Sequence, residues 1–101
     1  MDTLGKFADP SLLILISLAP GPKHGYAMIQ DIEQFSGKRL GPGTLYGAIA
    51  RLEADAFIEP MASEDRRQPY RLTALGSKSL REQITSLERF MRVASARVLN
   101  P

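Results

Sequence analysis

Cysteine is absent from this 101-residue sequence and histidine occurs once. Without cysteine there is no disulfide framework, no thiolate metal site and no sulfur nucleophile. No Ser–His–Asp order can be assembled around His24, and a single histidine makes no histidine metal cluster. Long hydrophobic runs are missing too. The longest, LLILISLA from Leu12, is far short of the roughly 20 residues a membrane-crossing helix needs. No basic segment and cleavage site stand around it in signal-peptide order. No carboxylate pair is set as for a cleft, and the one Gly-rich turn lacks the Lys-Ser/Thr of a phosphate loop. Neither sign of charge dominates: 13 Lys and Arg against 11 Asp and Glu leave a net +2, which permits an anionic partner without demanding one. The expectation is a cytoplasmic protein that is no enzyme, with no cofactor, no metal and no membrane partner.

What is present is the composition of one ordinary globular domain, 44% hydrophobic and 24% charged. Asp9-Pro10 is a helix start, because Asp caps free N–H groups and Pro suits the first helical position. The helix it opens, Pro10 to Leu18, is apolar nearly all round and has to be covered on several sides. PGPKHG then breaks the chain. A second helix is expected from His24 to Ser36, with Met28, Ile32 and Phe35 in one stripe joined by Ile29, and Gly37 as its stop. A third opens at Pro42 and runs to Asp55 with Leu45, Ala48, Ile49 and Leu52 inward. Two short helices joined by a tight Gly-containing connection outline a helix-turn-helix.

Behind it FIEPM from Phe57 and YRLT from Tyr70 read as strands, and ASEDRRQ between them as the tip of a hairpin. Pro60 suits an edge strand. Such a hairpin is a wing. Thr73 then caps a long helix, Ala74 to Leu99, of roughly 40 Å. Leu80, Ile84, Leu87, Met91, Ala94 and Val98 recur along it in steps of four and three, a heptad seam. Lys78 with Glu82 and Glu88 with Arg92 are spaced as i,i+4 pairs. The fold class is mainly α with a small two-stranded β wing: an N-terminal segment 1–9, a winged helix-turn-helix 10–73, and a C-terminal dimerisation helix 74–101.

The turn LGPGTLYG poses the functional question. A helix that reads a DNA major groove enters by its N-terminal end, whose free N–H groups suit a phosphate if nothing bulky intervenes. Gly41, Pro42 and Gly43 supply that bareness. Thr44, Gly47 and Arg51 then face outward and Tyr46 lies at the margin, placing Thr44 for a phosphate or a thymine methyl, Tyr46 for a phosphate or sugar, and Arg51 for the backbone. The plainer alternative is that Pro-Gly-Thr is a good helix start and Tyr46 a packing residue. Likewise Arg66-Arg67 is either a phosphate-gripping wing tip or a solvated hairpin beside Glu64 and Asp65.

Taken in order, HGYAMIQDIE from His24, PGTLYGAIARLEADAFIE from Pro42 and YRLTALG from Tyr70 resemble the three signature blocks of PadR-type transcriptional regulators, over roughly Leu12 to Leu80. The resemblance implies a winged-helix homodimer that binds double-stranded operator DNA, usually as a repressor, joined through the C-terminal helix. Lys23, His24, Tyr26, Lys38, Arg39, Pro42, Gly43, Thr44, Tyr46, Arg51, Arg66 and Arg67 are then the DNA-facing candidates. Leu12, Leu15, Leu80, Ile84, Leu87, Met91, Ala94 and Val98 are the subunit contact, with Phe7 and Phe90 beside it. Some relatives of this kind take a flat small-molecule effector between subunits, and this chain has no Trp to line such a site. Three places depart from the pattern. Gly41 stands where a capping Ser is common, Gly47 where Pro often follows the Tyr, and Gln68-Pro69 where the wing usually has aromatics. The runner-up is a winged-helix module that meets a protein instead of DNA.

Overall fold

The computed structural model describes residues 8–100. Its order is α1 (Pro10–Leu18), β1 (Lys23–His24), α2 (Gly25–Ser36), α3 (Pro42–Ala54), β2 (Ile58–Pro60), β3 (Pro69–Leu72) and α4 (Ala74–Leu99). The Asp9 carboxylate accepts from Ser11 N–H and Pro10 begins α1, as the sequence signals. α1 packs against α2, α3, α4 and β3, which explains why it is apolar on every side. Leu13, Ile14, Leu15 and Leu18 from α1 meet Met28, Ile29 and Ile32 of α2 and Leu45, Ala48, Ile49 and Leu52 of α3, with Ile58 and Leu80 closing the core. Phe35 leaves the expected stripe and is exposed. The buried place near it goes to Ser36, whose hydroxyl donates to the Ile32 carbonyl at 2.6 Å.

The sheet has three strands, ordered β1-β3-β2, all antiparallel, instead of the expected two. β1 pairs Lys23 with Tyr70 and His24 with Pro69. It is two residues long and sits between a Pro-Gly-Pro break and a helix, so no alternation could announce it. The wing proper pairs Ile58 with Leu72, Glu59 with Arg71 and Pro60 with Tyr70. The Glu59 carboxylate and Arg71 guanidinium meet across it at 2.8 Å.

α3 ends in a motif the sequence hides. Phe57 N–H donates to Leu52 O and Ala56 N–H to Glu53 O, with Ala56 at φ 62°. This is a Schellman stop with alanine in the left-handed position that glycine usually fills. Thr73 then caps α4, accepting from Gly76 N–H at 3.0 Å while its hydroxyl donates to Ala56 O. A methyl on Gly76 would run into the backbone carbonyl of Phe57, so glycine is what lets α4 lie directly on the turn before β2.

Beyond Leu80 the helix leaves the domain, and the molecule measures 56 × 28 × 21 Å. The expected i,i+4 ion pairs of Lys78 with Glu82 and Glu88 with Arg92 do not form among the described residues; Arg81 instead donates to Ser77 and Thr85 to the Arg81 carbonyl. Two residues assigned to the subunit contact are corrected. Leu15 and Leu80 are 1% and 6% exposed and belong to the protomer's own core. Phe7 lies outside the described residues.

Candidate nucleic-acid interface

The first turn of α3 is open to solvent. Gly41, Pro42, Gly43 and Thr44 are all exposed, and no side chain caps the free N–H groups. A Cβ built on Gly41 or Gly43 would meet nothing within 4 Å, so no crowding inside the protomer calls for glycine at either position. Thr44, Tyr46 and Arg51 face outward while Leu45, Ala48, Ile49 and Leu52 face the core. Gly47 is half-buried, with only the Arg51 guanidinium near its missing side chain.

Beside this turn runs a groove of about 460 Å³ lined by His24, Gly25, Tyr26, Tyr46, Arg66, Arg67 and Gln68. Among the described residues that line it there is no carboxylate. It joins the wing tip to the start of α2 and to Tyr46 of α3. His24 caps α2, its Nδ1 facing Ala27 N–H, and its Nε2 lies 3.2 Å from Arg67 Nη1. Gly25 is a residue sequence reasoning missed: a methyl there would strike the Tyr46 ring and hydroxyl, so its bareness seats Tyr46 over the start of α2. Only the small residue after His24 hints at this.

Gln68 is the other omission. Its amide donates to the carbonyls of Met61 and Pro69 at 2.8 and 2.9 Å, holding the wing's two sides together. Asp65 orders the tip, accepting from Arg67 N–H at 2.7 Å and from the Ser63 hydroxyl. Those bonds, the backbone one first, hold its carboxyl below the ordinary range. At the root of the wing the Tyr70 phenol is pushed up, chiefly by burial and then by the Glu53 carboxylate and Tyr46.

The cations assigned to DNA divide into two kinds. The Lys23 ammonium donates to the Ser17 carbonyl and lies 3.9 Å from Asp31, which itself accepts from the buried Ser17 hydroxyl. That network ties α1 to α2 through Lys23. Arg39 is exposed and paired to Glu33 at 2.7 Å. Lys38, Arg51, Arg66 and Arg67 make no ion pair among the described residues.

A second surface lies at the other end. Ile84, Leu87, Phe90, Met91, Val98 and Leu99 are exposed along α4, Phe90 at 73% and Val98 at 76%. Ala94 is exposed and Leu12 half-buried. Where α4 leaves the core, Leu12, Ser79, Glu82, Gln83, Ser86, Leu87 and Phe90 line an open hollow of about 370 Å³. No helix among the described residues is long and apolar enough to cross a membrane.

The model of the transcriptional regulator PadR-like family matches residues 13–82. The chain belongs to that family. It is 37% identical over 87 residues to the transcriptional regulator Rv3488 of Mycobacterium tuberculosis, covering 80% of this chain and 78% of that one. It is 48% identical over 81 residues to an uncharacterized 37.1 kDa protein in transposon TN4556 of Streptomyces fradiae, covering 80% of this chain and 24% of that protein, so it spans about a quarter of that relative's length. Among solved structures, a transcriptional regulator from Clostridium thermocellum superposes with a TM-score of 0.79 at 26% identity, over 94% of this chain and 95% of that one. Its winged helix is that of a PadR-like transcriptional regulator.

Proposed function

We propose that this PadR-family regulator is a cytoplasmic homodimeric repressor that binds an inverted-repeat operator in double-stranded DNA. The observation that carries the reading is the uncapped, exposed, glycine-flanked N-terminus of α3 beside a groove whose lining includes two arginines, a histidine and two tyrosines but no carboxylate. A helix start that no internal contact requires to be bare is suited to close approach by something outside, and its dipole and N–H groups favour an anion. Pro42, Gly43, Thr44 and Tyr46 set orientation and sequence preference. His24, Tyr26, Lys38, Arg39, Arg51, Arg66 and Arg67 reach the backbone, Arg39 after release from Glu33.

The unpartnered apolar length of α4 supports a second copy as its cover. Two chains clasped there set two α3 helices about one DNA turn, roughly 34 Å, apart. The hollow beside Leu12 and Phe90 gives an effector a place at that junction. Gel shifts with DNA from the gene's own promoter against random duplex test the reading. Retention of the promoter fragment under competition at moderate salt is expected. Equal loss of both duplexes would leave a winged-helix module that meets a protein.

A further inference from the structure

His24 turns both ring nitrogens toward groups that only donate. Nδ1 faces Ala27 N–H at 3.4 Å and Nε2 faces Arg67 Nη1 at 3.2 Å. A neutral imidazole has one N–H and one acceptor nitrogen, while a guanidinium and a backbone N–H accept nothing. With the ring hydrogen on Nε2 the α2 cap is made and Nε2 faces Arg67 as a donor; with it on Nδ1 Arg67 donates to Nε2 and the cap is lost, so one lone pair has to serve two donors. What the pair lacks is an acceptor between them.

Among the described residues no other acceptor is bonded to the His24 ring or the Arg67 guanidinium. The Gln68 amide nitrogen is committed to two carbonyls. Asp65 turns one carboxylate oxygen, Oδ1, to the Arg67 N–H and the Ser63 hydroxyl, and bonds neither the His24 ring nor the Arg67 guanidinium. Lys23, next in the chain, is turned to Ser17 and Asp31. Of the remaining lining groups Arg66 only donates, and the hydroxyls of Tyr26 and Tyr46 can donate to an anion as well.

We propose that His24 and Arg67 jointly hold one phosphodiester of the DNA backbone, His24 through Nε2–H and Arg67 through its guanidinium, and that this one phosphate locks the wing to the start of α2. The proposal rests on the DNA-binding reading above. A phosphate oxygen entering between the two takes a charge-assisted hydrogen bond from each and leaves the ring's one lone pair to the α2 cap. Because one anion serves both residues, losing either removes most of what the other contributes.

The test uses the full chain and a short duplex selected by it from a random-sequence pool, with binding read by fluorescence anisotropy. The variants are His24→Asn, Arg67→Ala and the double. Asn is a good N-cap, so it preserves α2 while removing the ring nitrogen that reaches Arg67. Each protein is titrated against the plain duplex and against duplexes carrying one neutral methylphosphonate, walked along both strands. Each single change is expected to weaken binding roughly tenfold, and the double no more than about threefold beyond the weaker single. One methylphosphonate position per half-site should cost the unaltered protein the same factor and cost the variants little. Losses that multiply, or methylphosphonates that cost every protein alike, would overturn the shared seat. If the Asn variant melts early, the Arg67→Ala series decides alone. Absence of binding by the unaltered protein to any duplex would instead bring down the DNA-reading function, and the seat with it.

Discussion

Gly76 has no room for a methyl group, and Ala56 carries one in a conformation that disfavours it. The first is pressed on the Phe57 carbonyl and the second sits at φ 62° in the stop of α3. Gly76→Ala must move backbone against backbone and is expected to cost on the order of 3 kcal/mol. Ala56→Gly relieves left-handed strain and should gain about 1 kcal/mol. Urea melts of the two variants check the opposite signs. Asp65 adds a pH dependence. Its carboxyl is held below its ordinary value of 3.8, so the order it gives the wing tip is fully present above that value and is lost as pH falls through the lower folded one. The Arg67 amide proton, followed by NMR, should keep its hydrogen-bonded shift until pH drops below the usual carboxylate range. None of these single-residue roles was legible in the sequence. Ala56 looks like any helix-tail alanine, and Gly76 and Gly25 become necessary only once Phe57 and Tyr46 are brought against them from elsewhere in the chain.

At the scale of elements, helix boundaries were legible because they are written in local chemistry. Asp9-Pro10 starts α1, Pro42 starts α3 and Thr73 caps α4, within a residue of where the sequence placed them. β1 was not, since two residues carry no period and owe their strand form to pairing with β3. Heptad spacing named the apolar face of α4 but could not divide it between the protomer's core and a second chain; Leu80 goes to the first, and everything past it is open. Two predictions belong here. Replacing Arg66 and Arg67 together by Ala should weaken binding to all duplexes and flatten the log–log salt dependence by about 0.9 for each phosphate that is no longer neutralised. An unchanged slope in anisotropy titrations would remove the wing from the interface. Leu87→Glu with Phe90→Glu, both on exposed α4, should leave helical content by circular dichroism intact while shifting the chain to monomer in size-exclusion chromatography.

For the molecule as a whole, geometry links the two surfaces. One end presents a bare helix start and a donor-rich groove, and the other presents apolar helix with nothing among the described residues to cover it. A single winged helix offers DNA few base contacts, and joining two copies at a fixed span turns the spacing of half-sites into part of the recognition. The most direct test is sedimentation velocity at micromolar concentration, with and without a duplex carrying two inverted half-sites one helical turn apart. A two-chain species alone and two chains per duplex in the mixture is the predicted result; single chains in solution, or one chain per duplex, would contradict the account.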